Sequence, residues 1–235
     1  MLGPSFAIVI PVHNEAGFLG PALSQIISQV DLVTPDYRII LVENGSGDDT
    51  YGEAIQAAEA DSRVHVLRLP DADYGAAMRH GMEFVDDREW IVTFDIDYFS
   101  GRFVRQMLEN AESTDLVIAS KRAPGSDDRR PMIRRIGTRV FNFILRAAVG
   151  SKISDTHGIK AFRRSMVEDL LPDVELTQDL FDTELVIRAE KKGYRLIEVP
   201  IVVEEIRAAR SSLIRRIPRT LRGVWQLRRR FRETS

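Results

Sequence analysis

Residues 90–97 read WIVTFDID. Trp90 to Phe94 is a short, continuous apolar run, as expected of a strand buried on both faces of a sheet, and it runs directly into two aspartates, Asp95 and Asp97. Working outward, the same kind of run recurs at Phe6 to Ile10 (FAIVI), ended by Pro11, at Tyr37 to Val42 (YRIILV), at Val64 to Leu67 and at Leu116 to Ala119. Helical patterns fall between them: about Ala16 to Val30, a helix capped by Asp48 and Asp49 and running to about Ala60, about Tyr74 to Val85, and one after Gly101. Strands alternating with helices predict an α/β fold with a mostly parallel sheet flanked by helices.

The later chain is less regular. Ala123 to Pro131 (APGSDDRRP) reads as a polar loop, and Met132 to Val149 as an Arg-studded helix. Gly158 to Phe162 and Tyr194 to Val199 read as strands, with a helix from about Thr183 to Lys192 between them. At the end, Ile214, Ile217, Leu221, Val224 and Phe231 are interspersed with Arg, as in an interfacial helix, while Pro218 and Gly223 work against helix there.

Bulk properties narrow the possibilities. The 235 residues suit one α/β domain of generous size with a short appendage, taken as residues 1–212 and a basic amphipathic tail, 213–235. With no Cys, disulfides and thiolate metal sites are excluded. No apolar run approaches the roughly 20 residues of a spanning helix, and no signal-peptide pattern opens the chain, so a cytoplasmic location is expected. The net charge of −2 is unevenly spread: residues 207–235 hold ten Arg and one acid, for +9, leaving −11 on the other 206. A basic tail on an acidic body suits anionic lipid headgroups. Few aromatics and an acidic body speak against nucleic acid.

In open parallel sheets ligands bind beyond the carboxyl ends of the strands. Those ends carry His13, Asn14 and Glu15 after the first strand and Glu43 and Asn44 after the second. Asp71 and Asp73 follow the third, and Asp95 and Asp97 the fourth. Acids gathered on one rim repel one another unless a cation joins them. Asp95 and Asp97, two residues apart, can converge on Mg²⁺ or Mn²⁺, which favour such oxygen ligands and add phosphate oxygens to their shell. Asp73 also fits a helix N-cap. A second, basic cluster comprises Lys121, Arg122, Arg134 and Arg135, the arginines being suited to bidentate phosphate contacts. Arg129, Arg130 and Arg139 read as solvated.

The segments IVIPVHNEAGFL (8–19), VENGSGDDT (42–50), DADYGAAMRHGM (71–82), FDID (94–97), SDTHGIKAFRRSMV (154–167) and GYRLIEVPIVV (193–203) stand in an order that resembles glycosyltransferase family two. Within it they are most similar to the polyprenyl-phosphate, or dolichol-phosphate, mannose and glucose synthases. The resemblance runs to about Leu213 and implies a GT-A (nucleotide-diphospho-sugar transferase) fold with a Rossmann-like sheet.

By that resemblance Pro11, Glu15, Glu43 and Asn44 line the nucleobase and ribose pocket. Asp95 contacts nucleoside and metal, and Asp97 ligates the metal between the donor phosphates. Arg122 with Arg134 or Arg135 takes the acceptor phosphate, and Asp155 lies near the acceptor. Asp179, Asp182 and Glu184 stand where many relatives carry a base, and Arg207 and Ser212 reach the donor diphosphate. The chain departs from the family pattern at Glu43-Asn44, at Asp73-Tyr74-Gly75, at Phe99 where a Gln is usual, and at Arg210 to Leu213.

The implied reaction is an inverting transfer of mannose or glucose from GDP-mannose or UDP-glucose to a polyprenyl phosphate, at the cytoplasmic membrane face through peripheral contact or a membrane partner. Asp97, Asp155, Arg122 and Arg134 would carry it. Two alternatives stay open: a soluble transferase with a sugar or small-molecule hydroxyl acceptor, and a non-catalytic nucleotide-sugar-binding or scaffolding protein.

Overall fold

The computed structural model describes residues 3–85, 87–156, 158–177, 180–203 and 222–231. His157, Asp179, Arg207, Ser212 and the apolar positions Ile214, Ile217 and Leu221 lie outside these residues. In chain order the elements are β1 (Phe6–Val12), α1 (Leu19–Asp31), β2 (Tyr37–Asn44), α2 (Thr50–Ala60), β3 (Val64–Leu69), α3 (Tyr74–Phe84), β4 (Trp90–Thr93), α4 (Gly101–Asn110) and β5 (Leu116–Ser120). Then follow β6 (Asp127–Asp128), α5 (Met132–Val149), β7 (Lys160–Arg163), α6 (Arg164–Leu170), α7 (Phe181–Lys192), β8 (Leu196–Pro200) and β9 (Val202–Val203). Residues 222–231 form a last helix, α8.

Seven strands make one sheet in the order β3-β2-β1-β4-β7-β5-β8. All neighbours are parallel except β7, which runs antiparallel to both β4 and β5. The sheet is thus mostly parallel, as its apolar runs require: β1 is buried at every position. β1 outruns the expected end and carries Pro11 inside the strand. Val9 O accepts from Phe94 N, so Pro11, two residues on, turns its N–H-less edge to the side where β4 has already ended.

Alternation along each strand supplies two apolar layers. One, with Ile8, Ile10, Ile39, Leu41 and Val92, packs under α1, α2 and α4. The other, with Ala7, Val9, Ile40, Val42 and Ile91, packs under α3, α6 and α7. A third cluster joins Leu145 and Val149 of α5 to Ile187 of α7 and to Val224 and Leu227 of α8. Gly223, expected to weaken helix, lies against Leu180 at this contact, where a Cβ would stand 2.1 Å from Leu180 Cδ1 and the leucine would have to shift. In α8, therefore, Val224 is turned toward protein, and Phe231 lies under the Arg188 and Lys191 cations.

Three further expectations change. The loop from Ala123 to Pro131 contains β6, paired with β9. The helix α6 was not foreseen. At the start of α2 the local bonds to Thr50 N and Oγ1 come from Asp48, and Asp49 makes no side-chain cap.

Candidate functional site

The loops after β1 and β2 are laced together. Thr50 Oγ1 accepts from Glu15 N at 2.6 Å, Asp48 Oδ2 from Ala16 N at 3.2 Å and Glu53 Oε1 from Gly17 N at 2.6 Å. His13 Nδ1 donates to Asn44 O at 2.8 Å, and its Nε2 lies 2.8 Å from Asn14 Nδ2. Asn14 takes a left-handed backbone, φ 54°, which Asn tolerates, and caps Gly47 N. Gly45 is left-handed and pressed against Pro70 and Ala72 backbone, where a Cβ would meet Ala72 N at 2.7 Å.

This lacing settles where four of the expected donor residues lie. Pro11 and Glu15 are buried at the end of β1. Glu43 is buried, with Oε1 accepting from Ser46 N at 2.6 Å and Oε2 from Arg68 Nε at 3.1 Å. Arg68, not singled out in the sequence, also lies over the Tyr51 ring. Asn44 Nδ2 donates to Val12 O at 3.0 Å. Asp73 does act as a helix N-cap, its Oδ1 accepting from Ala76 N at 3.0 Å.

Asp95 to Tyr98 closes a tight turn, with Asp95 N donating to Tyr98 O and Tyr98 N to Asp95 O. Buried Ile96 anchors the turn between Asp95 and Asp97. Burial, then the charges of Asp97 and Asp182, push the Asp95 carboxyl up to about 7, with Lys160 and Lys121 opposing. A carboxyl so burdened with negative neighbours is one that a cation would relieve, and the all-oxygen donor set fits Mg²⁺ or Mn²⁺. Among the described residues no group of three or more His, Asp or Glu side chains converges as a ready cage, so a cation on Asp95 and Asp97 needs ligand or water oxygens to complete its shell. Phe99 packs against the core beneath α1 and α4.

Two buried lysines flank this turn. Lys160, at the start of β7, has no exposed surface; its Nζ donates to Asp182 Oδ2 at 2.9 Å and to Gly158 O at 2.6 Å. Lys121 follows β5, and its Nζ donates to Asp155 Oδ2 at 3.0 Å and lies over the Tyr98 ring. Burial pulls Lys121 below its ordinary value, against the pull of Asp155. Asp155 itself is fully buried, and the bond ties it to Lys121. The loop carrying it is held by Glu198 of β8, whose Oε1 accepts from Ser154 N at 3.0 Å, Ser154 Oγ at 2.5 Å and Asp155 N at 3.2 Å.

Of the arginines, Arg122 and Arg135 are exposed and Arg134 is half-buried on α5. Arg130, expected to be solvated, is instead fixed by Asp128 through Nε and Nη2 at 2.8 Å each, and it feels the charges of Asp155 and Tyr98. Glu184 is fully buried and fully used: it accepts from Arg188 at 2.7 Å and from Glu175 N and Leu176 N. It is a clamp between α7 and the preceding segment. Lys160, Glu198 and Arg68 went unnoticed in the sequence; the one available signal was a lone charge inside an otherwise apolar strand, as in GIKAF and LIEVP.

Residues 7–171 match the family model described as glycosyl transferase family 2. The chain is 30% identical to a polyprenol monophosphomannose synthase of Mycolicibacterium smegmatis, over 84% of this chain and 77% of that one. It is 28% identical to the glycosyltransferase AglD of Haloferax volcanii, over 96% of this chain but only 38% of that protein's length. Its fold superposes on glucosyl-3-phosphoglycerate synthase of Mycobacterium tuberculosis, in complex with Mn²⁺, UDP-glucose and phosphoglyceric acid, with a TM-score of 0.68 at 18% identity, covering 96% of this chain and 80% of that one. The sheet is accordingly of the GT-A type, and the chain belongs to glycosyl transferase family 2.

Proposed function

We propose that the chain is an inverting, metal-dependent hexosyltransferase that moves mannose or glucose from a nucleotide diphosphate sugar to a polyprenyl phosphate at a membrane surface. The observation that carries the acceptor is α5. Met132, Ile133, Ile136, Val140 and Phe143 are all exposed, from 50% to 73%. At about 100° per residue they fall within one roughly 100° arc. The helix holds four Arg and no acid. An apolar stripe edged by arginine is the build of a helix lying in a lipid interface, attracted to anionic headgroups. Among the described residues no helix is long and apolar enough to cross a membrane. The first half of α5 is tied to β6, since Arg130, fixed by Asp128, reaches Thr138 Oγ1 at 3.4 Å.

In this reading Asp95 and Asp97 hold Mg²⁺ or Mn²⁺ against the donor diphosphate, where the cation would neutralise charge on the leaving group. The rim of β1 and β2, through Pro11, Glu15, Glu43 and Asn44, encloses the nucleoside, and Arg207 and Ser212 contact the diphosphate. Arg122, Arg134 and Arg135 receive the lipid phosphate, and Asp155 keeps Lys121 in place beside it. Such a phosphate, with a second pKa of about 6, is already anionic at neutral pH and needs orientation, not deprotonation. A hydroxyl acceptor would need a general base, and the buried Asp155 and Asp182 each already accept from a lysine.

The test is turnover of GDP- and UDP-hexoses, with Mn²⁺ or Mg²⁺, against a polyprenyl phosphate and against free sugars. Transfer to the lipid phosphate is expected, falling about 10²–10³-fold in Asp97→Asn. Transfer to hydroxyl acceptors alone, or unchanged turnover in Asp97→Asn, sinks the proposal.

A further inference from the structure

Glu43 and Arg68 face each other across the carboxyl ends of β2 and β3. Both lie on the α2 side of the sheet, since Leu41 and Val66, each two residues earlier, belong to the apolar layer under α1, α2 and α4. Their exposures are opposite: the Glu43 side chain is 1% exposed and that of Arg68 59%. Both Glu43 oxygens are committed, Oε1 to Ser46 N and Oε2 to Arg68 Nε, so a ligand arriving at this rim meets the guanidinium rather than the carboxylate. The guanidinium is also held over the Tyr51 ring of α2, its central carbon 4.3 Å from the ring centroid. Its two terminal nitrogens have no hydrogen-bond partner among the described residues. An exposed arginine fixed through Nε, with Nη1 and Nη2 uncommitted, is a planar fork whose orientation is already set.

Its place along the rim says which part of a ligand comes here. β3 is the edge strand, three strand spacings from β4, or about 14 Å at about 4.8 Å each. A diphosphate held by Asp95 and Asp97 after β4 has the cations assigned to the acceptor on one side, beyond β7 and β5, and β1, β2 and β3 on the other. Its nucleoside therefore extends across β1 and β2, with the base farthest out, toward β3. Guanine alone among the bases presents two adjacent acceptors, O6 and N7, on one edge, and an arginine fork donates to both. Uracil offers only O4 on the corresponding edge, and adenine and cytosine place an amino donor there.

We propose that Arg68 reads the base of the donor as guanine, through O6 and N7, with Glu43 and Tyr51 as positioning residues that hold its guanidinium. The inference rests on the nucleotide-sugar reading above and narrows it from two donor bases to one.

The test is titration calorimetry of the full chain with Mn²⁺ against GDP, UDP and 7-deaza-GDP, which lacks the N7 acceptor. The parent chain is expected to bind GDP about 10–100-fold more tightly than UDP, and 7-deaza-GDP about 5–10-fold more weakly than GDP. Arg68→Gln removes the fork but keeps an amide that can donate to Glu43. In this variant the preference for GDP over UDP should shrink about 10-fold, and the penalty for 7-deaza-GDP should fall below about twofold. UDP binding as tight as that of GDP, a GDP preference indifferent to N7, or one that Arg68→Gln retains overturns the assignment and leaves the donor reading standing. So do equal losses of GDP and UDP affinity in Arg68→Gln, the mark of a purely structural role. No binding of either nucleotide brings down the donor reading and this one together. Should Arg68→Gln not fold, Tyr51→Leu serves: freeing the guanidinium should lower the preference for GDP about 2–5-fold, and an unchanged preference overturns the assignment.

Discussion

Lys160 and Arg135 carry the same charge under opposite conditions. Lys160 has no accessible surface, and its ammonium is bound at both 2.6 and 2.9 Å; Arg135 stands exposed on a helix whose outer face is apolar. The contrast runs through the whole site. Around Asp95 the side chains are committed to one another and fix single oxygen atoms in space, which suits a small ligand met in one pose. Along α5 the charges and the apolar stripe are open to solvent and define a surface, which suits a partner whose headgroup matters more than its orientation.

The contrast breaks first at Lys160. Lys160→Met leaves Asp182 as an unpaired buried charge and should cost about 3–5 kcal/mol in chemical denaturation. Replacing Asp182 by Leu as well should recover most of it. A loss under 1 kcal/mol would mean that the buried pair is no more committed than a surface one. Asp95 sharpens the same side. Its ordinary value is 3.8, and burial with the charges of Asp97 and Asp182 raises it to about 7. Between those values the folded chain keeps a proton that the unfolded chain has released, so in cation-free buffer the contribution of Asp95 falls as pH rises from about 4 to about 7 and is level above that. Asp95→Asn should remove this slope from the pH dependence of the melting temperature; an unchanged slope assigns it elsewhere. The smallest effect belongs to the open side. Phe143→Ser and Ile136→Ser should alter stability by no more than about 0.5 kcal/mol while weakening flotation with vesicles rich in anionic lipid. Undiminished flotation would take the membrane face away from α5.

Much of this was legible. The runs that became β1 to β5 read correctly because strands buried on both faces need no periodicity to stand out, and Asp95 and Asp97 were visible because acids directly follow such a run. Direction was not legible: Gly158 to Phe162 looks the same parallel or antiparallel, and only its placement between β4 and β5 shows the reversal. β6 and β9, two residues each, are too short to carry a pattern. Gly223 argued against a helix because propensity is local, whereas Val224 and Leu227 hold this helix through contacts with α5 and α7, far away in sequence. The commitments of Asp155 and Asp182 were hidden for the same reason: each depends on a lysine that a different strand brings in.

The reversal of β7 also decides which connections can vary separately. In a purely parallel sheet every rim loop leaves a strand and must cross over to the next, so lengthening it disturbs a helix on the way. β7, being reversed, instead begins at the rim. Insertions between Gly150 and Ser154 could therefore remodel the mouth beside Lys121 without stretching any of the crossovers that hold β1, β2, β3 and β4 in register, giving one catalytic frame room to diversify in what it glycosylates.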